Sequence, residues 1–282
     1  MVKIKNELLS CDISEIGAEI KSLKKGDTEY IWCGDPKFWG KTAPVLFPCI
    51  GSTKDNYYVL NGKTYNMRKH GFLIGSEFAV EEKTDSSVTL LYTHNDNTLA
   101  VYPYQFEFRA TFTLIESSLK VEYRVNNLTD DTMYFSVGAH EAYATPGGVE
   151  EYDIVFPNKE DLDAILLDGP LVIDDTKTFA KNVDCFSIYE KYFELDTLIF
   201  RKLKSKEVVL RNRITDRSVK VEYPDCDYLA FWHEPGAEFL CIEPWTSLTD
   251  HAHADHHDIR KKEGIISLQP MGVYTNTHTI TV

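Results

Sequence analysis

Alternation constrains this chain more than any other feature of it. Phe106, Phe108, Ala110, Phe112 and Leu114 alternate with Glu107, Arg109, Thr111 and Thr113; Leu119, Val121, Tyr123 and Val125 alternate with Lys120, Glu122 and Arg124. A period of two puts one set on each face of a strand, so these are two half-buried antiparallel strands joined at Glu116-Ser117-Ser118. The same rhythm returns at 133–137, 196–200, 207–211, 218–223 and 274–282. Tyr57-Tyr58-Val59-Leu60, Asn61-Gly62 and Lys63-Thr64-Tyr65 read as a hairpin, because Asn-Gly supplies the two positive φ angles of a type I′ turn.

Helix is scarce beside these strands. Residues 161–167 read as one or two helical turns and 187–193 as another, while 3–9 begins as a strand and 16–23 fits strand or helix. With no repeat and no Gly/Ser linker, the expectation over residues 1–282 is all-β: one large antiparallel β-sandwich with a few short connecting helices, rather than two domains. The closing strand, 274–282, can pair within the chain or with a second copy, so a homodimer stands as an alternative.

Charge narrows the partners. Thirty Lys and Arg face 44 Asp and Glu, and the net charge of -14 disfavours nucleic acid, anionic membrane and polyphosphate. A neutral small molecule fits better. The 16 Tyr and 15 Phe suit sheet faces and equally the stacking walls of a sugar site. Six cysteines, at 11, 33, 49, 185, 226 and 241, form no Cys-x-x-Cys pair and no compact disulfide spacing, so reduced thiols are expected. The N-terminus shows no signal-peptide pattern and no segment approaches a membrane span; a cytoplasmic protein is expected.

Chemistry concentrates in 229–250. Residues 238–242 read as a mostly buried strand ending in Glu243, with Pro244 expected to stop regular pairing directly after it. Trp232, Trp245 and Phe239 would desolvate that carboxyl, raise its pKa and fit it to act as a base near neutrality. His140 also falls at a strand end, after 133–137 and Gly138-Ala139. His70 precedes Gly71, where backbone can approach a ligand closely; alone, this histidine reads as a donor or as a structural group. Upstream, Trp32, Phe38, Trp39 and Phe47 crowd among glycines and prolines, which suits a pocket-lining loop or an aromatic cluster beneath one.

A rival signal lies at 251–258. His251-Ala252-His253-Ala254-Asp255-His256-His257-Asp258 holds four of the nine histidines and carries the H-x-H-x-D-H spacing of the metallo-β-lactamase superfamily. In that superfamily the motif follows an early strand, with further ligands well downstream. Here 24 residues remain, with His278 the sole later histidine, so the context does not match and no metal is expected.

Taken together, Trp39, the LFPCIG stretch, His70-Gly71-Phe72, Gly138-Ala139-His140 and Cys241-Ile242-Glu243-Pro244-Trp245 resemble the aldose 1-epimerase (galactose mutarotase-like) family, nearest its LacX-like branch. The resemblance covers nearly the whole chain in consistent order. It implies a β-supersandwich, a sugar cleft across one concave sheet, and no cofactor. It also implies Glu243 as general base, His140 as general acid and His70 as the second histidine that holds the sugar. Asp196 would hydrogen-bond sugar hydroxyls, with Trp232 and Trp245 as walls. The implied activity is interconversion of α and β anomers of a free hexose such as galactose or glucose; alternatives are a hexose-6-phosphate 1-epimerase, a non-catalytic sugar-binding protein, or a metal-dependent hydrolase on the histidine loop. Two family arginines are missing: Gly51-Ser52-Thr53-Lys54 and His70-Gly71-Phe72-Leu73-Ile74 stand where relatives often carry one. Lys54, the cation left near the first, is the candidate substrate contact there, though it is no bidentate substitute.

Overall fold

Alternation becomes sheet across residues 1–282, which the computed structural model describes throughout. Phe106–Ile115 and Ser118–Asn127 pair antiparallel, from Phe106 opposite Asn127 to Ile115 opposite Ser118, and bury every second side chain. They belong to a fifteen-stranded sheet. Its path runs Val45–Leu46, Gly138–Ala139, Phe239–Trp245, Tyr228–Trp232, Leu198–Arg201, Tyr152–Asp168, Glu207–Asn212, Ser218–Glu222, Val273–Thr281, Ser118–Asn127, Phe106–Ile115, Ser87–Thr93 and Ala79–Lys83. Glu141–Ala144 joins it beside Phe239–Trp245, and Leu171–Ser187 beside Tyr152–Asp168.

A second sheet holds Val2–Lys5, Leu9–Ile13, Ile20–Lys25 and Thr28–Glu29. Two ribbons complete the strands: Tyr57–Leu60 with Lys63–Asn66, and Met133–Phe135 with Ile266–Leu268. Asn61 (φ 50°) and Gly62 (φ 76°) close the first ribbon with the positive angles expected of Asn-Gly. Helix is confined to Asp96–Val101, held by an Asn95 capping box, and four 3₁₀ segments of three to six residues. The chain is therefore an all-β antiparallel sandwich with short connecting helices.

Two expectations need correction, and one open alternative is narrowed. Residues 161–167 are not helical; they lie inside the 17-residue strand Tyr152–Asp168. Register shifts between Val155 and Glu160 and again between Ile165 and Leu167 break its period, and buried Glu160, bonded to the Ser205 amide at 2.7 Å, breaks the apolar pattern. Pro244 does not end its strand: it stands opposite Leu229, and Trp245 stands opposite Tyr228 on one side and Gly138 on the other. The closing strand Val273–Thr281 pairs within the chain, along its length with Ser118–Asn127 and at Thr279–Thr281 also with Ser218–Glu222.

The core also anchors the future site. Phe47 is fully buried, its ring 5.1–6.0 Å from those of Phe72, Tyr102, Phe106, Phe108 and Phe135. Truncating such a ring costs about 3–5 kcal/mol. That anchorage fixes the neighbouring backbone, which carries Gly51 to His70.

Candidate active site

Strand register places the central pair. Gly138 lies opposite Trp245 and Glu141 opposite Ile242, so the two residues between them, Ala139 and His140, fall opposite Pro244 and Glu243. Proline has no N–H to give, and the ladder is interrupted at these two positions. Side chains directly across a pair of strands meet, and His140 Nε2 stands 3.4 Å from Glu243 Oε2. Glu243 thus sits within a strand rather than at its end.

Both groups are out of water. The Glu243 side chain is 1% exposed and that of His140 12%. Burial, reinforced by the Glu141 and Asp196 charges, pushes the Glu243 carboxyl well above the usual carboxylate range, against an opposing pull from Lys69. Trp245 N–H favours the ionised form from just outside hydrogen-bond geometry. Burial, with Lys69 adding, pushes the His140 imidazolium down to about 3. Glu243 Oε2 and His140 Nδ1 are buried without hydrogen-bond partners, two polar atoms held ready for a ligand.

Aromatic rings fix the histidine. Trp39 stacks on His140 at 4.9 Å and 23°, Trp232 meets it edge-on at 5.9 Å, and Trp39 meets Trp232 at 5.4 Å. His70 approaches from a different segment, its ring 5.7 Å from that of His140. The His70 N–H donates to Gly51 O at 2.8 Å, and Gly51 N–H donates to His70 Nδ1 at 3.2 Å. An accepting Nδ1 fixes the tautomer and leaves Nε2–H as the donor. Burial, then His140 and Lys69, hold the His70 imidazolium well below its ordinary range.

Gly71 explains the turn. It has φ +75°, and a Cβ there would run into the Phe47 carbonyl, which accepts from Phe72 N–H at 3.0 Å. Arg68 clamps the same turn through the carbonyls of Gly71, Phe72 and Ile74 at 2.7–2.8 Å. His70 itself has φ +64°, an uncommon conformation for a side-chain-bearing residue, held by these contacts.

These groups open into a cleft of about 670 Å³. His70, His140, Glu243, Asp196, Trp232 and Trp245 all line it, so six of the seven residues singled out from sequence converge. Asp196 is exposed at φ 68°, directly after the 3₁₀ segment Glu190–Leu195. Lys54 is the exception: its ammonium donates to Ala254 O under the histidine loop, away from the cleft. Lys41 and Lys69 are the lysines that line the cleft, together with the acids Glu194, Asp196 and Glu234. Sequence reasoning missed both lysines, while Trp39, read there as part of an aromatic stretch suited to a pocket-lining loop, does line the cleft.

The histidine loop does not gather ligands. His251 Nε2 turns to Asp174 at 3.2 Å, His257 Nε2 to Asp55 at 3.5 Å with its ring stacked on Tyr57, and Asp258 binds Arg260. Beneath the loop is a separate cavity of about 230 Å³, bounded in part by the Lys262–Asp250 ion pair at 2.6 Å.

The family model for aldose 1-epimerase matches residues 1–277. The chain belongs to the aldose 1-epimerase family. The LacX proteins of Lactococcus lactis subsp. lactis, plasmid and chromosomal, are 29% identical to this epimerase-family chain over 296 aligned residues, covering 100% of it and 99% of each relative. A galactose mutarotase related enzyme from Lactobacillus acidophilus superposes with a TM-score of 0.94 at 32% identity, over 99% of this chain and 96% of that one. A galactose mutarotase-like protein from Lactobacillus casei gives 0.90 at 27%, over 100% and 99%. The fold is thus galactose mutarotase-like. No helix of this family member is long and apolar enough to cross a membrane.

Proposed function

We propose that this chain is a mutarotase that interconverts the α and β anomers of a free hexose such as galactose or glucose. The observation that carries the reading is the buried Glu243–His140 pair, 3.4 Å apart at a cleft walled by Trp39 and Trp232. Opening a pyranose requires removing the proton of the anomeric hydroxyl and protonating the ring oxygen. Both oxygens hang on one carbon, so two adjacent groups reach them together. Glu243 acts as base on the hydroxyl and His140 as acid on the ring oxygen. The aldehyde rotates about its carbonyl carbon bond, and the same groups with protons exchanged close the ring to the other anomer.

Electrostatics fit a pair that carries one proton between its members. Burial opposes charge on each, raising Glu243 and lowering His140, so the empty site favours protonated Glu243 beside neutral His140. A sugar bridging the pair favours the tautomer with carboxylate and imidazolium, which is the reactive one. His70 Nε2–H supplies a neutral donor to a ring or hydroxyl oxygen. Trp39 and Trp232 offer stacking faces for C–H-rich sugar surfaces, and Asp196 accepts from hydroxyls.

An unphosphorylated sugar is favoured by the charge of the lining. Lys41 and Lys69 are countered by Glu194, Asp196 and Glu234, and no arginine lines the cleft to clamp a phosphate bidentately. Polarimetry of freshly dissolved α-D-galactose and α-D-glucose, with and without protein, tests the reading. Acceleration by wild type that is lost in Glu243→Gln supports it. Sugar binding by calorimetry without acceleration would make the chain a binding protein instead.

A further inference from the structure

Metal-binding capacity lies elsewhere than the histidine-rich sequence suggests. The ligand atoms of 251–258 diverge, and one set of three His, Cys, Asp or Glu side chains in the molecule has its ligand atoms gathered: His140, Cys241 and Glu243, all within 4.8 Å of one another. Cys241 and Glu243 are two apart on strand Phe239–Trp245 and so share a face, while His140 reaches them from across the strand pair. Cys241 has no part in the proposed acid–base chemistry.

The spacing suits a tetrahedral ion. Zinc bonds of about 2.0–2.2 Å to nitrogen and oxygen, opened to the tetrahedral angle, set the two ligand atoms about 3.4 Å apart. His140 Nε2 and Glu243 Oε2 stand 3.4 Å apart. Glu243 Oε2 is buried with no hydrogen-bond partner, and it belongs to a side chain 1% exposed. Thiolate and carboxylate would cancel the ion's two charges, an arrangement that buried surroundings tolerate. A mixed sulfur, nitrogen and oxygen set favours Zn²⁺ or Co²⁺ over Mg²⁺ or Ca²⁺.

We propose that His140, Cys241 and Glu243 form a reversible site for a thiophilic divalent cation, Zn²⁺ in the first instance, with its fourth position open to the cleft. Binding releases the Cys241 thiol proton, and the Glu243 proton where that carboxyl carries one, to solvent. The occupied site withholds both base and acid, so the cation inhibits sugar turnover; that consequence, unlike the binding itself, rests on the mutarotase reading. His140 Nδ1 lacks the outer acceptor that orients histidines in resident zinc sites, so the ion exchanges with chelator rather than staying as a fixed part.

The test uses full-length, untagged, chelator-dialysed protein. Titration with Co²⁺ should bring up a thiolate-to-cobalt charge-transfer band at one ion per chain, and Zn²⁺ calorimetry should give the same stoichiometry. Cys241→Ser should abolish the band and weaken Zn²⁺ by about tenfold or more, with thermal unfolding checking that the variant is folded and Cys241→Ala as a second version. Zn²⁺ should suppress wild-type mutarotation reversibly, while whatever metal-free rate Cys241→Ser retains should be unchanged by adding Zn²⁺. A wild type without the thiolate band, or zinc binding that survives Cys241→Ser and vanishes with His251→Ala/His257→Ala, overturns the site. Thiolate-bound metal in a protein that never accelerates mutarotation keeps the site and removes the proposed function; mutarotation untouched by zinc does the reverse.

Discussion

Replacing Glu243 by glutamine changes one atom type in a place where little else can change. The side chain is 1% exposed, and its Oε2 has no hydrogen-bond partner to lose. The amide therefore fits the same space and removes only the capacity to take up a proton. General base catalysis of this kind contributes about 10²–10⁴-fold, equivalent to about 2.7–5.5 kcal/mol of barrier. We expect polarimetric kcat/KM to fall by that factor. Stability supplies a second, independent readout. The folded carboxyl binds its proton more tightly than the unfolded one, because burial raises its pKa. Its contribution is therefore fully present below the unfolded value and is lost as pH rises through the folded one. Glutamine has no such loss. The melting temperature of Glu243→Gln relative to wild type should climb with pH through this range, giving a folded, less active and comparatively more stable protein at alkaline pH. A variant with near-wild-type rates, or a melting difference that does not vary with pH, would refute the reasoning.

Other expectations follow from the same geometry. Rates measured with chelator present should hold down to the acid-unfolding region, because His140 takes a second proton only near about 3, and should fall on the alkaline side as the pair loses its single proton through Glu243; a decline centred near the ordinary histidine pKa would contradict the one-proton pair. Trp39→Ala removes a ring stacked on His140 at 4.9 Å, a contact of about 0.5–1.5 kcal/mol. Steady-state kinetics should show kcat/KM falling by up to about tenfold, with both constants affected. Gly71→Ala forces a φ of +75° on alanine and drives its Cβ into the Phe47 carbonyl, while Gly75→Ala meets the same kind of φ, +82°, in open space. The φ alone costs roughly 1–3 kcal/mol, so thermal denaturation should show Gly71→Ala clearly below Gly75→Ala.

Strands were legible where the environment alternates. Residues 106–125 bury one face and wet the other, so their period survives in the sequence. Tyr152–Asp168 carries bulges and a buried, hydrogen-bonded Glu160, which erase the period and made 161–167 resemble helix. Glu243, His140 and His70 were legible through motifs, yet nothing local to either segment says that His140 faces Glu243, because register is a property of two strands about a hundred residues apart. Lysine positions failed for a related reason. Lys54 follows Gly51 closely in sequence, but its amide binds Asp250 Oδ2 at 2.9 Å and its ammonium turns to Ala254. Lys41 and Lys69, which carry no pattern, line the cleft.

Spacing in sequence therefore misled most where it looked sharpest. Four histidines in seven residues do not converge on one point: His251 turns to Asp174 and His257 to Asp55. One histidine, one cysteine and one glutamate, far apart in the chain or masked by apolar neighbours, converge because a sheet brings them together. Pro244 is central to that convergence. It reads as a terminator, yet the strand continues through it, and what it removes is one N–H at the place where the neighbouring strand is itself split into Gly138–Ala139 and Glu141–Ala144. Ladder bonds there would satisfy the backbone and draw both strands into regular pairing. Their interruption lets His140 and Glu243 stand side by side on the cleft face, with Trp39 rather than backbone pairing fixing the imidazole. The feature that looked like the end of an element is thus the one that opens the element where a substrate can reach it.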